Sequence, residues 1–167
     1  MKRILETERL ILRQFELSDA KFIVELVNTP GWLEFIGDRN IRTEEAGINY
    51  LQSGPMKSYQ ENGFGLSMVA TKEGTPMGMC GILKRDNFEY PDIGFAFLPA
   101  FMGNGYAFEI AAATLEHAKT ELNLGPILAI TMPTNRKSIR LLEKIGLKFK
   151  KTMYTPDRNE ELMLFSQ

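Results

Sequence analysis

The chain has one cysteine, one histidine and one tryptophan among its 167 residues. A single cysteine excludes an intramolecular disulfide and argues against a cysteine-based metal site. Cys80 lies in the apolar run Met77-Gly78-Met79-Cys80-Gly81-Ile82-Leu83 and is expected to be a small buried hydrophobe. Neither sign of charge is in excess: 20 Lys and Arg face 21 Asp and Glu, for a net −1. That balance excludes a general nucleic-acid or polyanion binder. No apolar stretch approaches the roughly 20 residues of a membrane span. The opening nonapeptide, Met1 to Arg9, carries acids and no apolar core, which reads as no signal peptide and a cytoplasmic protein. Repeats, low-complexity tracts and linkers are also missing. One domain over residues 1–167 is expected, large enough for a core without staples.

What is present is a glycine-rich turn at Met102-Gly103-Asn104-Gly105 between an apolar run and a long amphipathic segment. Glycine takes positive φ cheaply, and Asn is among the few other residues that tolerate it. Successive backbone N–H groups in such a turn form an anion nest, and a helix start adds its own unpaired N–H groups. A plain strand-to-helix turn has the same spacing. A Walker loop needs Lys-Ser/Thr after the second glycine, and a Rossmann fingerprint needs a third glycine where Phe108 stands. Neither fits.

Around this turn the pattern predicts a strand over Glu8–Gln14 and a helix from Ser18-Asp19 that stops before Pro30. Residues 31–37 read as a loop. Its aromatics, Trp32 and Phe35, either cap the core or line a substrate pocket. Thr43 followed by Glu44 and Glu45 signals a helix start, with an interruption at Gly54-Pro55. Strands follow over Phe64–Thr71, Met77–Lys84 and Asp92–Leu98. A helix over Tyr106–Leu122 is expected to bury Phe108, Ala111, Ala112, Leu115 and Leu122. His117 then faces solvent, which removes it as a catalytic base. A short strand at Pro126–Thr131, a helix at Asn135–Ile145 and a hairpin of Phe149–Tyr154 with Glu161–Phe165 complete the chain. The fold class is α+β, mixed α/β: one twisted, mostly antiparallel sheet of six to seven strands with about four helices.

The ordered set of motifs resembles the GNAT superfamily of acyl-CoA N-acetyltransferases, in particular its Rim-type branch of ribosomal-protein N-terminal acetyltransferases. The resemblance rests on Thr7-Glu8-Arg9-Leu10-Ile11-Leu12-Arg13, Phe64-Gly65-Leu66 with Pro76-Met77-Gly78, and Asp92-Ile93-Gly94-Phe95. It continues through Gly103-Asn104-Gly105-Tyr106-Ala107-Phe108-Glu109 and Asn135 to Gly146. It implies acetyl-CoA as co-substrate and no metal. It implies that Met102, Gly103, Asn104, Gly105, Tyr106 and Ala107 hold the pyrophosphate. Main-chain groups at Phe95, Ala96 and Phe97 would pair with the pantetheine arm, and Asn135 and Ser138 would sit beside it. Met102 stands where the superfamily pattern has Gln or Arg, so the backbone nest stays while one positive charge is missing.

By the same resemblance, an amine attacks the thioester directly in a ternary complex, with a main-chain N–H as oxyanion donor. Such a donor is worth about 3–4 kcal/mol. An α-amine has a pKa of about 7.7–8.0 and a lysine about 10.4, so a terminal amine needs little help to become neutral. Asp92 and Glu89 are the base candidates, alternatively plain strand-end carboxylates. Ser138 is the candidate donor to the leaving thiolate, alternatively a packed helix-face serine. Arg136, Arg140 and Lys144 form a stripe that meets the CoA phosphates or is simply solvated. The acceptor reads as a protein N-terminus, or alternatively a small amine (polyamine, amino acid or drug); a CoA-binding module without turnover is the third reading. Monomer and homodimer both stay open.

Overall fold

The computed structural model describes residues 1–154 and 159–167; Pro156, Asp157 and Arg158 of the expected closing turn lie outside them. The elements in order are β1 (Arg3–Glu6), β2 (Leu10–Arg13), α1 (Ala20–Val27), α2 (Pro30–Phe35), α3 (Glu44–Ser53), α4 (Pro55–Asn62), β3 (Ser67–Thr71), β4 (Pro76–Leu83) and β5 (Asp92–Phe97). There follow α5 (Tyr106–Thr120), β6 (Leu128–Thr131), α6 (Arg136–Lys144), β7 (Lys148–Tyr154) and β8 (Glu161–Ser166). One sheet of eight strands runs β1-β2-β3-β4-β5-β6-β8-β7. Every neighbouring pair is antiparallel except β5 and β6. The mixed α/β class stands, with more strands and helices than expected.

The extra elements have local causes. Residues 31–37 were expected as a loop, yet α2 forms because Pro30 sits at the first helical position, where its missing N–H is no loss. Thr29 caps it, its hydroxyl accepting from the Trp32 N–H at 3.4 Å. Thr43 caps α3 as expected, accepting from Ala46 at 3.1 Å. The third strand starts at Ser67 rather than Phe64, because the preceding residues turn towards α4. There the Ser58 hydroxyl donates to the Phe64 carbonyl at 2.6 Å and the Tyr59 hydroxyl to the Leu66 carbonyl at 2.5 Å.

The sheet separates two cores, and the period-2 alternation of strands assigns residues to each. Val69, Cys80, Ile93 and Phe97 join Ile110, Ala111 and Leu142 from α5 and α6. Met68, Ala70, Met79 and Ala96 face Ile23, Leu26, Trp32 and Leu51 from α1, α2 and α3. The buried face of α5 is Ile110, Ala111, Thr114, Leu115 and Ala118. This corrects the expected face, since Phe108 turns towards α6, where the Lys144 ammonium lies 4.4 Å from its ring centroid. Near the start of the chain, Arg13 and Asp19 form a two-pronged ion pair at 2.9 Å and 2.9 Å. Both side chains are nearly buried, and Asp19 also accepts from the Glu16 N–H at 2.8 Å. Among the described residues no helix is long and apolar enough to cross a membrane.

Candidate active site

The site begins with a fault in the sheet. β5 and β6 pair at one position, Asp92 opposite Leu128, where the Leu128 N–H donates to the Pro91 carbonyl at 2.8 Å. Beyond it the strands separate, and β6 pairs on its other side with β8. The free edge of β5 can be read from its register with β4. Leu98 donates to the Met77 carbonyl at 2.9 Å, and antiparallel residues alternate in which edge their N–H and C=O face. Gly94 and Ala96 therefore bond β4, while the main-chain groups of Phe95 and Phe97 face the gap. An extended ligand arm can add itself there like a strand.

At the open end of the gap, the chain turns through Pro99–Phe101 into the glycine loop. Gly103 and Gly105 have φ of 82° and 81°, and Gly105 is the N-cap of α5. A side chain at either residue would be strained. The first N–H groups of α5 have no acceptor within the helix, so the loop and helix start present donors to an anion. Asn104 turns its side chain back to the Met102 carbonyl at 3.3 Å, and Met102 is exposed.

The loop is braced from below by a residue without a predicted role there. Arg9 donates to the Asn104 carbonyl at 3.0 Å, donates to Glu109 at 2.7 Å, and lies 4.3 Å from the Tyr106 ring centroid. Glu109 also accepts from the Thr7 hydroxyl at 2.5 Å and the Arg9 N–H at 3.0 Å. Burial pushes the Glu109 carboxyl up, but the bonds from Thr7 and Arg9 outweigh it and hold its pKa below the usual value.

The opposite wall is α6. Its N-cap, Asn135, accepts from the Ser138 N–H at 3.2 Å, which fixes the first turn and places Ser138 on the gap. Arg136, Arg140 and Lys144 line the same cleft.

Asp92 lies at the closed end, on the residue where the two strands last touch. It is not the solvated strand-end carboxylate that one expectation allowed: it is 1% exposed. Arg85 donates to its Oδ1 at 3.0 Å, while its Oδ2 is buried without a partner. Burial raises its pKa above the usual value, and the Arg85 charge and hydrogen bond offset only part of that. Glu89, the other carboxylate considered, is exposed and outside the cleft. His117 is half-buried rather than exposed, and it too lies outside the cleft.

On the acceptor side, Trp32 is 5% exposed and packs in the core with its Nε1 unpartnered, while Phe35 is half-buried. Both also line the cleft, and Trp32 packs in the core as well. The whole cleft measures about 1340 Å³, above the roughly 300–1,000 Å³ of a single small-molecule site. It has room for a donor and an acceptor side by side.

Comparison with known proteins agrees with this geometry. An uncharacterized N-acetyltransferase of Bacillus subtilis, YnaD, is 30% identical over 158 residues, covering 92% of this chain and 89% of its own. The crystal structure of a GNAT-family acetyltransferase from Bacillus anthracis superposes with a TM-score of 0.80 at 27% identity, covering 98% and 96% of the two chains. Two further structures share the fold. A ribosomal-protein-S5-alanine acetyltransferase from Vibrio fischeri matches at TM-score 0.80, 22% identity and 98% and 94% coverage. A spermidine N-acetyltransferase from Vibrio cholerae matches at TM-score 0.74, 19% identity and 96% and 94% coverage. The acetyltransferase (GNAT) domain model matches residues 9–148, and the chain belongs to that family: it is an acetyl-CoA-dependent N-acetyltransferase.

Proposed function

We propose that the chain acetylates the α-amine of a protein or peptide N-terminus by direct attack on acetyl-CoA in a ternary complex. The observation that carries this reading is Asp92: one buried carboxylate, with one oxygen free, at the closed end of the gap. An α-amine of pKa about 8 is already partly neutral at pH 7, whereas a lysine of about 10.4 is not. One carboxylate with an elevated pKa suffices to take a proton from the former through a relaying water, since the unpartnered Oδ2 is closed to direct contact.

The residues fit acetyl-CoA. The glycine loop and the start of α5 hold the pyrophosphate, and the exposed cations of α6 meet its remaining phosphate. The free edge of β5 pairs with the pantetheine amides, and an N–H at Phe95 or Phe97 polarises the thioester carbonyl. The hydroxyl of Ser138 donates to the departing thiolate. Its pKa, about 8.5 by analogy with cysteine, means that little help is needed. A covalent acetyl-cysteine route is disfavoured: Cys80 is fully buried, and burial pushes its thiol up to about 12.

The likeness to the ribosomal-protein-S5-alanine acetyltransferase supports the reading, and the likeness to the spermidine enzyme names its competitor. Thiol release should be measured with acetyl-CoA and three acceptors: a free N-terminal peptide, the same peptide blocked at its terminus but carrying lysine, and spermidine. Turnover of the first with intersecting initial-velocity lines is expected. Turnover confined to the lysine peptide or spermidine, or parallel lines, rejects the reading.

A further inference from the structure

Away from α6, the cleft has a charge pattern that proton transfer does not use. It is lined by Arg39, from the connection between α2 and α3, and by Lys84 and Arg85, from the connection between β4 and β5. Asp92 is the one carboxylate among the described lining residues, and Arg85 is matched to it at 3.0 Å. Arg39 and Lys84 have no ion pair among the described residues. The carboxylate beside Arg39 in sequence, Asp38, is already engaged by Arg42 at 2.6 Å. Two cations without an ion pair among the described residues therefore line the same cleft as Asp92, in addition to the α6 stripe assigned to CoA.

A cleft lined by one sign of charge focuses its field and selects its ligands by charge. A polyamine keeps one or more ammonium groups after the attacking amine is neutral, and these would meet Arg39 and Lys84. A polycation site needs several carboxylates, and the described lining supplies one.

We propose that the acceptor is an acidic peptide: an N-terminus with Asp or Glu within its first few residues, recognised by Arg39 and Lys84. This deepens the reading of a peptide α-amine acceptor and rests on it. Arg39 and Lys84 are then specificity residues, acting on acceptor KM rather than on chemistry.

The test is a matrix of peptides and variants. Peptides of identical first residue carry two acidic, two neutral or two basic residues next, with spermidine alongside. Wild type, R39E and R39E/K84E are assayed by thiol release at low and high salt. Acetyl-CoA titration calorimetry on each variant reports whether the cleft is still folded. For wild type the acidic peptide should lead the neutral one by about fivefold in kcat/KM, mostly through KM, as expected for exposed pairs. The lead should shrink with salt. In R39E/K84E the order should invert to favour the basic peptide. Peptide turnover without charge preference, or without inversion in a variant that still binds acetyl-CoA, overturns this inference and leaves the α-amine reading standing. Turnover of spermidine alone overturns the reading beneath it as well.

Discussion

Arg9 and Glu109 meet at 2.7 Å across 100 residues of chain, tying the β1–β2 turn to the first turn of α5. With the Arg9 bond to Asn104, this fixes the loop whose backbone N–H groups are proposed to converge on the pyrophosphate. R9A should raise KM for acetyl-CoA about fivefold, the scale of an exposed ion pair, with kcat nearly unchanged. Because Glu109 has a lowered pKa, its contribution is present above the ordinary value of 4.5 and is lost as pH falls through the lower folded value. Acetyl-CoA affinity by calorimetry should therefore weaken on acidification in wild type and less so in E109Q. An R9A enzyme that loses kcat but keeps KM would contradict a positioning role.

Asp92 carries two opposed expectations. D92N removes the proposed proton acceptor, and kcat with a peptide α-amine should fall about a hundredfold. Stability moves the other way. A carboxyl with a raised folded pKa stabilises the fold fully below its ordinary value of 3.8, and that contribution is lost as pH rises through the folded value. Once ionised, Asp92 is a burden that the amide does not carry. The melting temperature of D92N minus that of wild type should thus increase between pH 4 and pH 8. A difference that shrinks over that range, or a kcat unchanged by the substitution, contradicts the assignment.

The cations of α6 should bind CoA through its phosphates. R136E/R140E should weaken acetyl-CoA binding about tenfold in dilute buffer, with the loss closing as salt approaches 1 M, where the Debye length is about 3 Å. Equal affinity of variant and wild type across the salt series would show that the stripe is merely solvated.

The pair Arg13–Asp19 bears on stability alone. D19A leaves a nearly buried guanidinium without its carboxylate, at a cost of about 3–5 kcal/mol. Denaturant unfolding should show this as a lower midpoint with an unchanged slope. A loss under about 1 kcal/mol would mean that the arginine finds water or another acceptor.

The glycine spacing alone left the loop open between an anion nest and a plain turn, and only the resemblance carried by the ordered motifs assigned it to the pyrophosphate and Phe95–Phe97 to the pantetheine arm. Three features needed the third dimension. The burial of Asp92 depends on the β4–β5 connection bringing Arg85 to it, which no local spacing encodes. The role of Arg9 depends on a partner 100 positions away. Pro30 reads equally as a terminator of one helix and as the first residue of the next, and only the Thr29 cap decides. β1 escaped notice because a four-residue edge strand with charges at both ends has almost no apolar signature. The face of α5 was misjudged because Ala and Thr, small enough for a close approach to the sheet, line it instead of Phe108.

The order β6-β8-β7 places the final strand in sequence between two earlier ones. β7 touches the rest of the sheet only through β8, so during synthesis it has no neighbour to join until β8 has left the ribosome. β6, one wall of the gap, also waits for its antiparallel partner. A nascent chain lacking those last residues would hold the glycine loop, Asp92 and the whole of α6 yet have one flank of its cleft unsupported. Substrate competence should therefore appear in a single step once β8 is available to pair with β6 and β7, rather than grow with chain length.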